Sequence, residues 1–283
     1  MKISIRYEAV YAYEEPASFS PHIVRLFPKN DRHVRVERAL FQTDESADVQ
    51  YRHDLFDNEV ASCFYPEKRD RLDFRLELDL ELAEKNPFHF LLDAHALRLP
   101  FDYLPQEAAV LAPFLHDDLP VALPPELDRP PTPRPTVEAI LDLNQWIFQN
   151  LGYERREEGE AWSPAETLAA GRGACRDFSV LLVSVLRRHG LAARLASGFL
   201  WEPPDTPKED LRAESALHAW VETYLPGAGW IGLDPTNGVL CDEHRIVAAV
   251  GLTSADITPI KGVYYGRKKI ECAMTAKLEI KPR

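Results

Sequence analysis

The chain has 283 residues, enough for one large domain or two ordinary ones, and its 45% hydrophobic and 28% charged residues are the make-up of a folded globular protein. With 33 basic and 45 acidic residues the formal charge is −12, which argues against nucleic acid or an anionic membrane as the main partner. No apolar run nears the roughly 20 residues that span a bilayer, and the segment from Met1 to Tyr11 alternates apolar with polar residues in place of a signal-peptide core.

The first hundred residues read as β. Ile3, Ile5 and Tyr7 alternate with polar neighbours, as do Val34 and Val36. Phe56-Asp57-Asn58-Glu59 suits a hairpin turn. Leu72, Phe74, Leu76, Leu78, Leu80 and Leu82 alternate with charges, which predicts a long strand with one wet face. Together these segments predict an antiparallel β-sandwich over 1–100. The histidines at 22, 33, 53, 89 and 95 show no metal spacing and are expected to be surface or satisfied side chains. From Pro100 to Pro135 lie ten of the chain's 23 prolines, so neither a regular helix nor a central strand is expected there. Apolar residues such as Leu111, Phe114 and Leu119 make residues 101–135 a packed connector, with a short helix near Gln106–Leu111.

Residues 136–283 then read α before β. Thr136 can cap a helix with Val137, Ile140, Leu141, Ile147 and Phe148 on its inner face. Ser163-Pro164-Ala165-Glu166 carries a capping-box pair and a first-turn proline. In G-R-G-A-C-R-D-F-S-V-L-L-V-S-V-L-R-R-H-G, apolar residues at Phe178, Leu181, Leu182, Val185 and Leu186 predict a helix from about Cys175 to Gly190. Strands follow over Ala193–Trp201, Leu217–Leu225 and Trp230–Leu233, with an exposed acidic loop at Glu202–Asp210 and a last strand around Ile270, Cys272 and Met274.

The four cysteines, Cys63, Cys175, Cys241 and Cys272, have no C-x-x-C spacing, so no zinc site or disulfide framework is expected and a reducing cytoplasm is the expected compartment. Cys175 stands apart because a helix N-terminus favours the thiolate. A thiolate needs a base and a group that orients the base. His218, opening H-A-W-V-E, and Asp234, closing W-I-G-L-D-P-T-N-G, sit on strands that a tight turn would bring side by side. Cys175 as an inert core thiol, His218 as a structural residue and Asp234 as a turn residue are the competing readings of each residue alone.

These motifs, with A-R-L-A-S-G-F-L after the helix and Y-E-A-V-Y-A-Y and S-P-H-I-V-R-L-F-P near the start, resemble the bacterial transglutaminase-like proteins, a family of cysteine-protease type. The resemblance spans nearly the whole chain. It implies an α+β fold: an N-terminal antiparallel β-sandwich domain, then a papain-like transglutaminase core with a helix bundle packed on an antiparallel sheet. It implies Cys175 as nucleophile, His218 as base and acid, and Asp234 as orienter. The family's frequent Gly-Val-Cys is Gly-Ala-Cys here. The expected reaction is acyl transfer on a peptide or protein substrate through a thioester, with hydrolysis first, and with no metal and no cofactor. Crosslinking by amine capture and a catalytically retired peptide-binding domain remain open at this point. The backbone N–H of Cys175 is one expected oxyanion donor, and Tyr153, Trp146 and Trp162 are candidates for the second. Asn237 is expected to steady the Asp234 loop, Asp177 to serve the helix dipole, and Arg172 and Arg176 to be solvated.

Overall fold

Period-two alternation puts every second side chain of a strand on one face, and such strands survive only when that face is covered. The structure, a computed structural model, describes residues 1–117, 121–128, 133–156, 159–203, 216–266 and 270–283. It opens with β1 (Lys2–Phe19), β2 (His22–Val24), β3 (Val34–Gln42), β4 (Asp48–His53), β5 (Glu59–Phe64) and β6 (Arg69–Leu82). In β6 the leucines and Phe74 are all buried. β1 pairs with β6 and β6 with β3 in one antiparallel sheet, while β2, β5 and β4 form another. Ile3, Ile5 and Phe74 from the first sheet and Val24 and Ala61 from the second share one apolar cluster, so the two sheets form a sandwich. Asp57 takes the left-handed conformation, φ 62°, in the expected turn between β4 and β5.

The connector holds β7 (Arg98–Leu99), α1 (Pro105–Leu115) and β8 (Arg134–Pro135). Helix α1 is longer than expected. Pro105 starts it, where a missing N–H costs nothing, and Pro113 falls in the last turn. β7 pairs with β8, and the Tyr103 hydroxyl accepts from the Ala192 N–H at 2.9 Å and donates to the Tyr224 carbonyl at 2.8 Å. These bonds lay the connector on the part that follows.

That part runs α2 (Thr136–Asn150), β9 (Gly152–Tyr153), α3 (Pro164–Ala170), β10 (Arg172–Gly173), α4 (Cys175–Arg188), β11 (Ala193–Leu200), β12 (Ala216–Leu225), β13 (Gly229–Asp234), β14 (Val239–Leu240) and β15 (Arg245–Gly251). Its antiparallel sheet has the order β14-β13-β12-β11-β15. Ile140 and Leu143 of α2 and Phe178 and Leu182 of α4 cover one face, against Leu195, Val221 and Leu233. Phe199 and Trp201 at the far end of β11, with Ile246 and Ala248 of β15, join the cluster that fills the sandwich, while Ala196, Trp220 and Val250 on the alternate face pack with Phe56. A sheet covered on both sides explains why A-R-L-A-S-G-F-L is almost continuously buried.

The end of the chain departs from the expected division. β16 (Ile260–Lys261) pairs with β2, while β17 (Tyr264–Tyr265) and β18 (Cys272–Pro282) pair with β1, from Ile3↔Pro282 to Tyr13↔Cys272. Residues allotted to the second part thus close the first. Alternation revealed a strand near Cys272 but carried no information about its partner. The expected loop at Glu202–Asp210 lies, from residue 204, outside the described residues, as do Leu119, Pro130 and Pro131 of the connector. Among the described residues no helix is long and apolar enough to cross a membrane.

Candidate active site

Cys175 is the first residue of α4, and the chain is forced into that position from both sides. Gly171, at φ 63°, ends α3 in the left-handed conformation. A Cβ on Gly173 would stand 2.9 Å from the Cβ of Asp177, so only glycine lets β10 run this close to the helix start. The Asp177 carboxylate accepts from the Ala174 N–H and the Trp162 N–H, each at 2.7 Å, and from Arg156 Nη2 at 2.6 and 2.9 Å. It therefore serves the dipole, as expected, and also ties the segment before α3 across the helix end. Arg156 lies over the Trp162 ring at 4.3 Å.

The partly exposed thiol of Cys175 hydrogen-bonds to the His218 ring and to the backbone N–H of Ala219, both on β12. His218 is opposite Gly198 on β11 and is 3% exposed. Its Nε2 lies 3.0 Å from Oδ1 of Asp234, an ion-pair distance at which the N–H points off the oxygen. With Nε2 turned to the carboxylate, Nδ1 is the nitrogen left for sulfur. The register Val221↔Leu233 between β12 and β13 carries Asp234 to the same end of the sheet as His218. The structure thus brings together all three residues singled out in the sequence.

Asp234 is fully buried and richly held. Its Oδ1 accepts from the Thr236 and Asn237 N–H groups at 3.0 and 3.3 Å, and its Oδ2 from Asn237 Nδ2 at 3.1 Å and Arg245 Nε at 3.4 Å. Asn144 and Gln145 of α2 donate to the carbonyls of Val239 and Gly238, fixing the turn that follows. Asn237 steadies the loop as expected. Arg245 and Arg156 were not foreseen, because a lone arginine near a strand or loop carries no spacing signal.

Electrostatics follows from this packing. Burial works against charge on His218, yet Asp234 beside it, with Cys175, pushes its pKa up to about 10. Burial likewise opposes the thiolate, but the His218 hydrogen bond and charge hold the Cys175 pKa below the ordinary thiol value. Asp234 is held well below the carboxylate range, against its own burial, by His218 and then Arg245. The directions agree on a thiolate–imidazolium pair backed by a carboxylate. The candidates for a second oxyanion donor separate as well. Tyr153 pairs with Gly173 across β9 and β10, its ring is 6.5 Å from Phe178, and its hydroxyl, raised to about 12 by burial, feels the charge of Cys175. Trp162 donates its backbone N–H to Asp177 and its ring lies against Arg156, and Trp146 packs into the helical core. Among the described residues no cluster of His, Cys, Asp and Glu has the form of a metal site.

Comparisons with known proteins place this geometry in a family. Residues 124–235 match the model of the transglutaminase-like superfamily, and residues 3–81 that of the bacterial transglutaminase-like N-terminal region. An uncharacterized protein of Mycobacterium tuberculosis is 36% identical over 136 residues, 47% of this chain and 43% of that protein. The uncharacterized YebA of Bacillus subtilis is 25% identical over 170 residues, 57% of this chain and 21% of that protein. The chain therefore spans under half the length of these curated relatives. A crystal structure of a candidate cysteine protease from Cytophaga hutchinsonii shares the fold, with TM-score 0.73 at 16% identity over 100% of this chain and 90% of that one. With both models matched in the order in which the two parts of the fold occur, the chain belongs to the transglutaminase-like superfamily and carries its bacterial N-terminal region.

Proposed function

We propose that this protein is a thiol-dependent acyl-transfer enzyme that hydrolyses peptide or side-chain amide bonds, with Cys175 as nucleophile, His218 as acid and base, and Asp234 as orienter. The observation that carries the reading is the unbroken chain of contacts from the helix-start sulfur through His218 to a buried carboxylate 3.0 Å from Nε2. The Cys175 thiolate attacks the substrate carbonyl carbon, and the oxyanion is received by the Cys175 N–H at the start of α4, ahead of the Asp177 N–H that bonds to the Ala174 carbonyl. The Tyr153 hydroxyl is the proposed second donor. The Nδ1 proton of His218 passes to the amine nitrogen, the C–N bond breaks, and a thioester remains. Water, losing its proton to His218, attacks the thioester and releases the acid and the thiol. Apo geometry in such sites is often loose and tightens with substrate, which suits the off-line His218–Asp234 contact. The substrate is a peptide or protein, and a reducing cytoplasm is the proposed location.

Incubation of the wild type and Cys175→Ala with a peptide library, with and without a primary amine, tests the reading by mass spectrometry. Cleaved or deamidated peptides made only by the wild type are expected. Amine adducts in their place would make the enzyme a crosslinking transglutaminase. Identical spectra for wild type and variant would overturn acyl transfer at Cys175.

A further inference from the structure

Arg245 opens β15 and is buried, 7% exposed, with its backbone locked by pairing to Leu200. Its guanidinium reaches three carboxylates from three separate stretches of chain. Nε lies 3.4 Å from Oδ2 of Asp234, Nη1 3.1 Å from Oδ1 of Asp242, and Nη2 3.5 Å from Oε1 of Glu202. Asp242 also meets His244 at 3.2 Å. A planar fork with fixed donor directions can hold three oxygens at set angles, which an ammonium cannot.

We propose that Arg245 is a positioning residue for the acyl-transfer reaction, acting through Asp234. The inference rests on the function proposed above. Asp234 divides its two oxygens: Oδ1 faces His218, and Oδ2 faces Arg245 and Asn237. By drawing on Oδ2, Arg245 sets the rotation of the carboxylate and hence the line from Oδ1 to Nε2. That rotation matters here because the His218 N–H is off that line although Nε2 is 3.0 Å from Oδ1. The titratable groups around the His218–Asp234 pair include Cys175 from α4, Tyr153 from β9, and Cys241 and His244 ahead of β15, and the charged ones are Arg245 on β15 and the acidic Asp242 and Glu202. Arg245 touches each of the acidic ones, so it also links the end of β11 to the orienting carboxylate.

The test compares wild type, Arg245→Lys and Arg245→Gln in the full chain. Alkylation by iodoacetamide is followed from about pH 5 to about pH 9 and read at Cys175 by peptide mass spectrometry, since Cys272 is also exposed. Turnover of an activated ester gives kcat and KM. Folding is checked by circular dichroism and thermal melting. Positioning predicts that folded R245K loses about tenfold in kcat at unchanged KM, and that the acid limb of its Cys175 alkylation moves up by about one pH unit. R245Q should be at least as impaired, and if it fails to fold, R245K decides. A folded R245K with the wild-type kcat and acid limb overturns the proposal, as does a lower melting temperature with both left in place, which would mark a purely structural role. A wild type whose Cys175 alkylates like a free thiol overturns the proposed function first, and is visible before any variant is made.

Discussion

At the scale of single residues, the proposed reaction turns on the move of one proton from the Cys175 sulfur to the His218 ring. Unfolded, the thiol titrates near 9.0 and the imidazole near 6.5; folded, the thiol is lower and the imidazole is near 10. Once pH exceeds both the folded thiol value and about 6.5, and up to about 9, each state holds one proton on this pair, so its contribution to stability is flat there. The lowered thiol by itself contributes stability that is lost as pH falls through its folded value. Above about 9 the folded chain binds more, and stability falls as pH rises towards the folded imidazole value. Cys175→Ala breaks the balance. Its unfolded state holds no proton on the pair above about pH 6.5, while folded His218 keeps the one that Asp234 supports. Stability of the variant relative to wild type should therefore fall as pH rises from the folded thiol value to about pH 9, by up to about 1.4 kcal/mol per pH unit. Urea unfolding of both proteins across that range measures the difference, and parallel curves would mean that His218 is not held as the imidazolium.

At the scale of elements, the site depends on backbone approaches that only glycine permits. Gly198 faces His218 across β11 and β12, at the point where the pairing of β11 with β15 shifts register. A Cβ there would stand 1.9 Å from the Ile246 carbonyl oxygen and 2.9 Å from the Ala248 nitrogen. Gly198→Ala must push β15 away, and with it Arg245, so a loss of about 3 kcal/mol is expected in urea unfolding. Gly171 meets nothing within 4 Å and is demanded only by its φ of 63°. Gly171→Ala should cost about 1 kcal/mol, the strain of the left-handed conformation alone. Equal losses would show that close approach is not what distinguishes the two positions.

At the scale of the whole molecule, both ends of the chain share one sheet. β18 covers the edge of β1 over eleven paired residues, and most of its own side chains are exposed. Its main contribution is therefore to satisfy the β1 edge and not to fill the core. A chain ending at Glu271 should keep the Cys175 site folded but expose a long unpaired strand. Light scattering should then show association at concentrations where the full chain is monodisperse. A truncated chain with unchanged scattering would refute this role for β18. The sandwich and the sheet that carries His218 and Asp234 are also bound to one another, because Phe199, Trp201, Ile246 and Ala248 sit in the cluster that contains Ile3 and Phe74.

What could be read along the chain were features with a short period or a local cap. The alternation of Leu72 to Leu82, the capping box at Ser163 and the amphipathic run from Phe178 to Leu186 each appear in the structure as a strand or helix near the expected bounds. Cys175, His218 and Asp234 were legible because a helix start and two turn-linked strands constrain their neighbours over a few residues. The partner of the last strand, the helix α1 through a proline-rich stretch, and the junction of Arg245 with Asp234, Asp242 and Glu202 were not. Each depends on which segments, far apart in sequence, pack together, and burial creates that charge cluster only once the sheet is covered on both faces. Local order in the sequence determined the elements and the reactive residue types; the tertiary fold alone decided which side chains hold them in place.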